Sequence, residues 1–215
     1  MTGDPQTRTD QASAAAVPGR EELQALLKDY NEHPDRREAV LAEIDGRFRR
    51  RVAVLVLDTC GFSRTVRGHG IVHFLALLER MERLIRPCVE AGHGRVLRRE
   101  ADNLFAVFDT ADRAVHAARE IQRDVRAANE ALPKEDEVGV SIGIGYGDLL
   151  LVGADDAWGD EMNLASKLGE DLAECGEVLI TRSARDALDH ADEIELEERA
   201  YTVSGIDVHA FHVGH

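Results

Sequence analysis

The hydrophobic positions alternate between two spacings along the chain. Leu23, Leu26, Leu27 and Tyr30, then Val40, Leu41, Ile44 and Phe48, recur at helical intervals on either side of Pro34, which predicts two short amphipathic helices. VAVLVL before Asp58 is an unbroken apolar run of strand length, as expected of a central strand covered on both faces. TCGFSRT then makes a turn in which Gly61 supplies backbone freedom. Helical spacing returns over residues 70–90, and RVLRRE and LFAVF flank Ala101-Asp102-Asn103 as the arms of a hairpin. An Ala-rich helix is expected from Asp112 to Leu132. VGVSIGIGYGDLLLVG predicts a strand, a turn near Gly147-Asp148 and a second strand. Gly159 to Ala173 is helical in pattern, EVLI a strand, Ser183 to Asp189 a short helix, and IELEE and DVHAFHV terminal strands.

The order β-α-β-β-α-β places the chain in the α+β class. It predicts a ferredoxin-like core with C-terminal additions, an antiparallel sheet with helices packed on it. In that topology the first and third strands are antiparallel neighbours. Asp58, which closes the first, and Asp102, which precedes the third, therefore come together although 44 positions separate them. Residues 1–20 are small and polar and are expected to be a disordered tail. Residues 21–50 form a helical extension that packs on the main domain or joins a dimer contact, and residues 51–215 form that domain.

Charge narrows the partners. The 215 residues carry 26 Lys and Arg against 41 Asp and Glu, a formal charge of −15. That excess argues against broad nucleic-acid binding, which needs cations to meet phosphates. It leaves room for a nucleotide held through divalent metal ions, which Asp and Glu bind. The acidity is local: residues 1–51 hold ten acids and nine bases, whereas residues 155–200 hold fifteen acids and four bases, Lys167 among them. No apolar run approaches the ~20 residues of a membrane span, and no signal-peptide stretch opens the chain. Three cysteines, Cys60, Cys88 and Cys175, form no CxxC pair; this predicts a reducing, cytoplasmic setting without a disulfide frame.

Two carboxylates on adjacent strands repel unless cations or protons lie between them. Either Asp58 and Asp102 hold a pair of Mg²⁺ or Mn²⁺ ions, with backbone amides around Gly61, Phe62 and Ser63 facing phosphate oxygens, or they are ordinary acids at strand ends. Topology alone leaves both readings open.

VLVLDTCGFS, GRVLRREADNLFAVF, VSIGIGYGDLLLVG and WGDEMNLASKL resemble, in order and spacing, the successive signatures of class III nucleotidyl cyclase catalytic domains. The resemblance runs over about residues 51–213. It implies a head-to-tail homodimer with two composite sites, one subunit supplying the metal aspartates and the other the base-reading and transition-state residues. The implied substrate is a nucleoside triphosphate, closed to a 3′,5′-cyclic monophosphate with release of pyrophosphate. Asp58 and Asp102 match the metal aspartates, Thr59 lends a backbone carbonyl to a metal, and Gly61, Phe62 and Ser63 cradle the triphosphate. Arg98 takes the place of the base-recognising Lys of adenylate cyclases, and Asp156 that of their second base-reading residue. Asn163 matches the Asn that orients the ribose, and Lys167 the Arg that stabilises phosphate charge in the transition state.

Some positions depart from the family's pattern. Lys167 keeps the charge but lacks the planar fork of Arg. Ser204 stands where relatives often carry a triphosphate-binding Lys, and Ala101 where a Gly usually precedes the second metal aspartate. The enzyme reading therefore stands beside that of a cyclase-homology module that dimerises and binds nucleotide with little turnover. Arg98 with Asp156 is close to the adenine-type Lys/Asp pair, which implies ATP, with GTP or a pyrimidine triphosphate as alternatives. A diguanylate cyclase is disfavoured, because ADNLF stands where its Gly-Gly-Asp/Glu-Glu-Phe hairpin would be.

The remaining features take plainer readings. Gly143, Gly145 and Gly147 fall within a strand pattern, so they suit close backbone approach at a hairpin and dimer interface better than a dinucleotide loop. His209 and His212 fall on opposite faces of a terminal strand, against a metal site. Arg47, Arg49, Arg50 and Arg51 read as a solvated helix end, Trp158 as a packing anchor at an interface or lid, and Cys60 as a small filler.

Overall fold

A computed structural model of the protein describes residues 17–61, 67–203 and 206–214. Two helices, α1 (Arg20–Glu32) and α2 (Arg37–Phe48), lead into strand β1 (Arg49–Thr59). Helix α3 (Ile71–Ala91), strands β2 (Arg95–Glu100) and β3 (Asn103–Phe108), helix α4 (Ala111–Asn129) and strand β4 (Val140–Val152) complete the core. There follow β5 (Asp156–Trp158), α5 (Asp160–Ser166), a π-helical segment (Lys167–Leu172), β6 (Val178–Thr181), α6 (Arg182–Asp186), β7 (Leu196–Val203) and β8 (Ile206–Val213).

The eight strands form one sheet in the order β2-β3-β1-β4-β6-β8-β7, with β5 paired to β4. The first four positions are the ferredoxin-like order, and β1 runs antiparallel to both β3 and β4. The sheet is mixed rather than antiparallel throughout, because β6 lies parallel to β4. A parallel neighbour needs a crossover, and the stretch from α5 through the π segment provides it.

β1 explains the two-sided core. Ala53, Leu55 and Leu57 face α3 and α4 among Met81, Ile85, Val115 and Ile121. Val52, Val54 and Val56 face the other way, among Phe105, Leu149, Met162 and Ala165. Each fully buried aliphatic side chain contributes about 1.5–3 kcal/mol, so neither face of this strand tolerates a register slip. Asp58 shares the parity of Val54 and Val56, which puts it on the α5 side.

Three expectations change. β4 is one 13-residue strand and does not turn at Gly147-Asp148: Gly147 pairs with Val52 and Asp148 with Arg51 in an unbroken ladder. The glycines of β4 do permit a close approach, but to α5 of the same chain. A Cβ on Gly143 would lie 2.0 Å from the Ala165 carbonyl oxygen, and one on Gly145 would lie 2.6 Å from that of Glu161. Residues 17–20, expected to belong to a disordered tail, are placed on the domain. Val17 packs against the β1 cluster, Gly153 N donates to the Pro18 carbonyl at 2.8 Å, and Arg20 opens α1; residues 1–16 lie outside the described residues. The helical pair packs on the main domain through Val40, Ile44, Phe48 and Val152, with Leu23, Leu26 and Tyr30 against them.

Candidate active site

Asp58 stands at the end of β1, one step beyond the Leu57–Leu104 pair that closes the β1–β3 ladder. Its carboxyl is half-buried and pushed up to about 6, first by burial, then by the charges of Asp102 and, more weakly, Glu170. Topology and electrostatics thus agree that Asp58 and Asp102 lie near each other. The Thr59 hydroxyl donates to the Asp102 main-chain carbonyl at 3.1 Å, tying the β2–β3 turn to the end of β1. In that turn Ala101 sits at φ 54°, the left-handed region where a Gly carries no Cβ penalty. Gly61, at φ 84°, has no atom of the described residues beyond its chain neighbours within 4 Å of its Cβ position; Phe62 and Ser63 lie outside the described residues, as does Ser204.

A crowded pair with a raised carboxyl is what a divalent ion relieves, since two oxygen-rich anions suit Mg²⁺ or Mn²⁺. Glu170, which the sequence motifs did not single out, is a third acid nearby. Its pKa is raised, with desolvation the main cause, and it hydrogen-bonds Ser166 and Asn103. It lies in the π-helical segment Lys167–Leu172, closed by Ala173 N donating to the Leu168 carbonyl at 2.8 Å; among the described residues no group of three acids is placed to hold a metal. Gly169 lets that segment lie on β1, because a Cβ there would meet the Val56 carbonyl oxygen at 2.7 Å.

A second group forms around Asp156, at the start of β5. This carboxylate is 6% exposed. Its Oδ1 accepts from Arg98 Nη1 at 2.6 Å and from the Ala157 amide at 2.9 Å, and its Oδ2 accepts from Arg20 Nη2 at 2.8 Å. A register shift between Val96 and Arg98 in the β2–β3 ladder accompanies the turn of the guanidinium, which lies 4.4 Å over the Phe105 ring. The structure thus brings together Arg98 and Asp156, 58 positions apart, and adds Arg20, for which the sequence carried no signal.

Asn163 and Lys167, four residues apart, share one face of the helix running from α5 into the π segment. Asn163 is exposed, and Lys167 Nζ lies 3.4 Å from Asp171 Oδ2. Glu161 seats this helix: its Oε2 accepts from the Tyr146 amide at 3.0 Å and from the Thr181 hydroxyl at 2.8 Å.

The cysteines depart from expectation. Cys60, next to Thr59, is joined in a disulfide to Cys175, with Cα atoms 5.8 Å apart, a separation ordinary for such a bond. Gly139 makes room for it, since a Cβ there would collide with Cys175 Sγ. Cys88 is free and buried, its thiol pushed up to about 11 by burial first and then by Asp124. Elsewhere Arg47 and Arg49 pair with acids of α1 and α2. His209 and His212 pair with Glu198 and Glu177, and Trp158 is 58% exposed. Among the described residues no helix is long and apolar enough to cross a membrane.

No family model matches the chain. A protein described as "Putative adenylate cyclase 3" from Rhizobium meliloti (strain 1021) is 31% identical over 154 residues, 71% of this chain and 26% of that protein. The chain thus spans about a quarter of that relative's length. The solved structure of an adenylate/guanylate cyclase/hydrolase from Silicibacter pomeroyi is 26% identical, with a TM-score of 0.64 over 77% of this chain and 96% of the other. The adenylyl cyclase CyaB from P. aeruginosa, at 20% identity and a TM-score of 0.67 over 78% of this chain and 95% of that one, shares the fold. Sheet order and these likenesses show the fold of adenylate and guanylate cyclase catalytic domains. The chain resembles the class III adenylate and guanylate cyclases in sequence and in fold.

Proposed function

We propose that the protein converts a nucleoside triphosphate, ATP in the first instance, to its 3′,5′-cyclic monophosphate and pyrophosphate at sites shared between two subunits of a head-to-tail homodimer. The observation that carries this reading is the Asp58–Asp102 pair, in which Asp58 is pushed up to about 6 by burial and its neighbour.

In the reaction the ribose 3′-oxygen forms a bond to the α-phosphorus while the bond to the bridging oxygen of the β-phosphate breaks. The 3′-hydroxyl proton passes to solvent water and pyrophosphate leaves. Asp58 and Asp102 would hold Mg²⁺ or Mn²⁺, which when bound offset phosphate charge and acidify the attacking hydroxyl. Gly61, with Phe62 and Ser63, is the proposed cradle of the triphosphate. On the other subunit Asn163 orients the ribose, and Lys167 places a point charge where negative charge grows on the phosphates. Arg98 and Asp156 read the base: Arg98 donates to adenine N1 and Asp156 accepts from the N6 amine.

Purified protein incubated with Mn²⁺ and each of ATP, GTP, CTP and UTP is expected to form a cyclic monophosphate, most readily from ATP. Nucleotide binding with no cyclic product from any of the four would leave the second reading, a binding module of low turnover. The pairing of Lys167 with Asp171 favours that alternative, because it occupies the cation the reaction needs. Mixing Asp58→Ala with Asn163→Ala protein tests the shared site: heterodimers with one intact site should regain about a quarter to a half of the activity per dimer.

A further inference from the structure

Arg20 lies outside the cyclase-like segment, on the first turn of the N-terminal extension, yet its guanidinium reaches the carboxylate assigned to base reading, 136 positions away. Its anchorage does not depend on that contact. The Gly153 amide holds the Pro18 carbonyl, Val17 sits in the β1 cluster, and Leu23 and Leu26 pack with Val152. Gly19 N also donates to Glu22 Oε1 at 3.3 Å. The chain is therefore seated on the β4–β5 hairpin immediately before and after Arg20, and the Arg20 side chain itself is 62% exposed.

A carboxylate offers about four lone-pair positions. Among the described residues Asp156 has three taken: two on Oδ1, by Arg98 and the Ala157 amide, and one on Oδ2, by Arg20. One acceptor position remains, on Oδ2. Adenine presents a single amine beside an acceptor nitrogen, whereas guanine presents two adjacent donors, N1–H and N2–H, beside O6. One remaining position satisfies the first edge and leaves a donor of the second unpaired in a largely buried setting, which is costly.

We infer that Arg20 is a specificity-determining positioning residue: by occupying Oδ2 of Asp156 it limits the base site to one accepted hydrogen bond and so selects adenine over guanine. This rests on the base-reading role proposed above for Asp156. It also gives the N-terminal extension a task, because any movement of α1 off the β4–β5 hairpin would change which base the site accepts.

The test measures binding of 3′-deoxy-ATP and 3′-deoxy-GTP, which lack the attacking oxygen, to the full chain with Mg²⁺ by calorimetry, alongside kcat and KM for ATP and GTP. The unaltered protein is expected to bind the adenine analogue about tenfold or more tightly than the guanine one. Arg20→Ala should lower that ratio about tenfold, mainly by tighter guanine binding. Arg20→Lys, which restores one charged donor, should recover most of the ratio. An unchanged ratio in Arg20→Ala, or a fall in kcat with KM unmoved, overturns the inference. So does unaltered protein that binds both analogues equally. Absence of cyclic product from protein that binds the analogues selectively overturns the cyclase reading while leaving the Arg20 result to stand by itself. Absence of binding by either analogue overturns the base site and the inference together.

Discussion

The Thr59 hydroxyl holds the main-chain carbonyl of Asp102 at 3.1 Å, so the strand carrying one acid of the pair is tied by its own next residue to the turn carrying the other. Thr59 is 3% exposed. Thr59→Val keeps the shape and leaves that carbonyl without its donor, an expected loss of about 1–2 kcal/mol. Urea unfolding should show an earlier midpoint at unchanged slope, and Mn²⁺ should bind more weakly as the turn loosens. Loss of stability with Mn²⁺ affinity intact would restrict the bond to holding the fold.

Asp58 gives the stability of the metal-free protein a definite pH dependence. Its carboxyl rises from the ordinary 3.8 to about 6, with burial the larger cause and Asp102 the next. Between those values the folded chain keeps a proton that the unfolded chain has released, so stability falls as pH climbs through the window and the deficit is complete above it. The half-exposed position limits the cost to about 1 kcal/mol. Asp58→Asn, measured without divalent ions, is therefore expected to melt roughly 2–4 °C above the parent at pH 8 and to coincide with it near pH 3.5. A gap that is the same at both pH values would rule out the charge as its source.

Ala101 occupies φ 54° in the turn before Asp102. A side chain in that region is strained by about 1–2 kcal/mol, partly offset by the freedom a Gly would add to the unfolded chain. Ala101→Gly should stabilise the protein by about 0.5–1 kcal/mol in a denaturant titration, with activity retained. Destabilisation would mean that the methyl group makes contacts worth more than the strain.

Lys167 tests how far a single charge can replace a fork. Its ammonium lies 3.4 Å from Asp171 at the start of a π-helical turn. Lys167→Ala should lower kcat for ATP by about 10²–10³, while Lys167→Arg, which can hold two oxygens together, should raise it severalfold. Unchanged turnover in the alanine variant would remove Lys167 from the phosphates.

Features set by topology were legible in the sequence, and features set by long-range side-chain contact were not. The VAVLVL run and the β-α-β-β-α-β order force β1 and β3 to be neighbours, so the meeting of Asp58 and Asp102 followed from connectivity. The resemblance named Arg98 and Asp156 together, and an ion pair makes them neighbours, while their task at a base is a proposal. Gly147-Asp148 has the composition of a turn, but eleven residue pairs along β1 keep β4 extended through it, tertiary pairing overriding local preference. Glu170 lies in a helix that widens into a π turn after Ser166, and its charge is felt at Asp58, which no residue spacing announces. Arg20 is a polar residue on an exposed first turn, and nothing in periodicity distinguishes its contact with Asp156 from a solvated end.

The Cys60–Cys175 bond was invisible for the same reason, since 115 positions separate its ends and spacing says nothing of their distance in space. It closes a loop long enough to remove substantial freedom from the unfolded chain, typically about 2–4 kcal/mol. It also fastens the residue after Thr59 to the turn that follows the Lys167-bearing segment. Protein purified without reductant should lose about 6–12 °C of melting temperature when reduced, and Cys175→Ser should melt at the lower temperature with or without reductant. Thiol labelling of the folded protein should find Cys60 and Cys175 only after reduction, with Cys88 slow throughout because it is buried and its thiol is pushed up to about 11. Reactive Cys60 and Cys175 in the unreduced protein, together with a melting temperature indifferent to reductant, would show that the two cysteines are neighbours without being bonded.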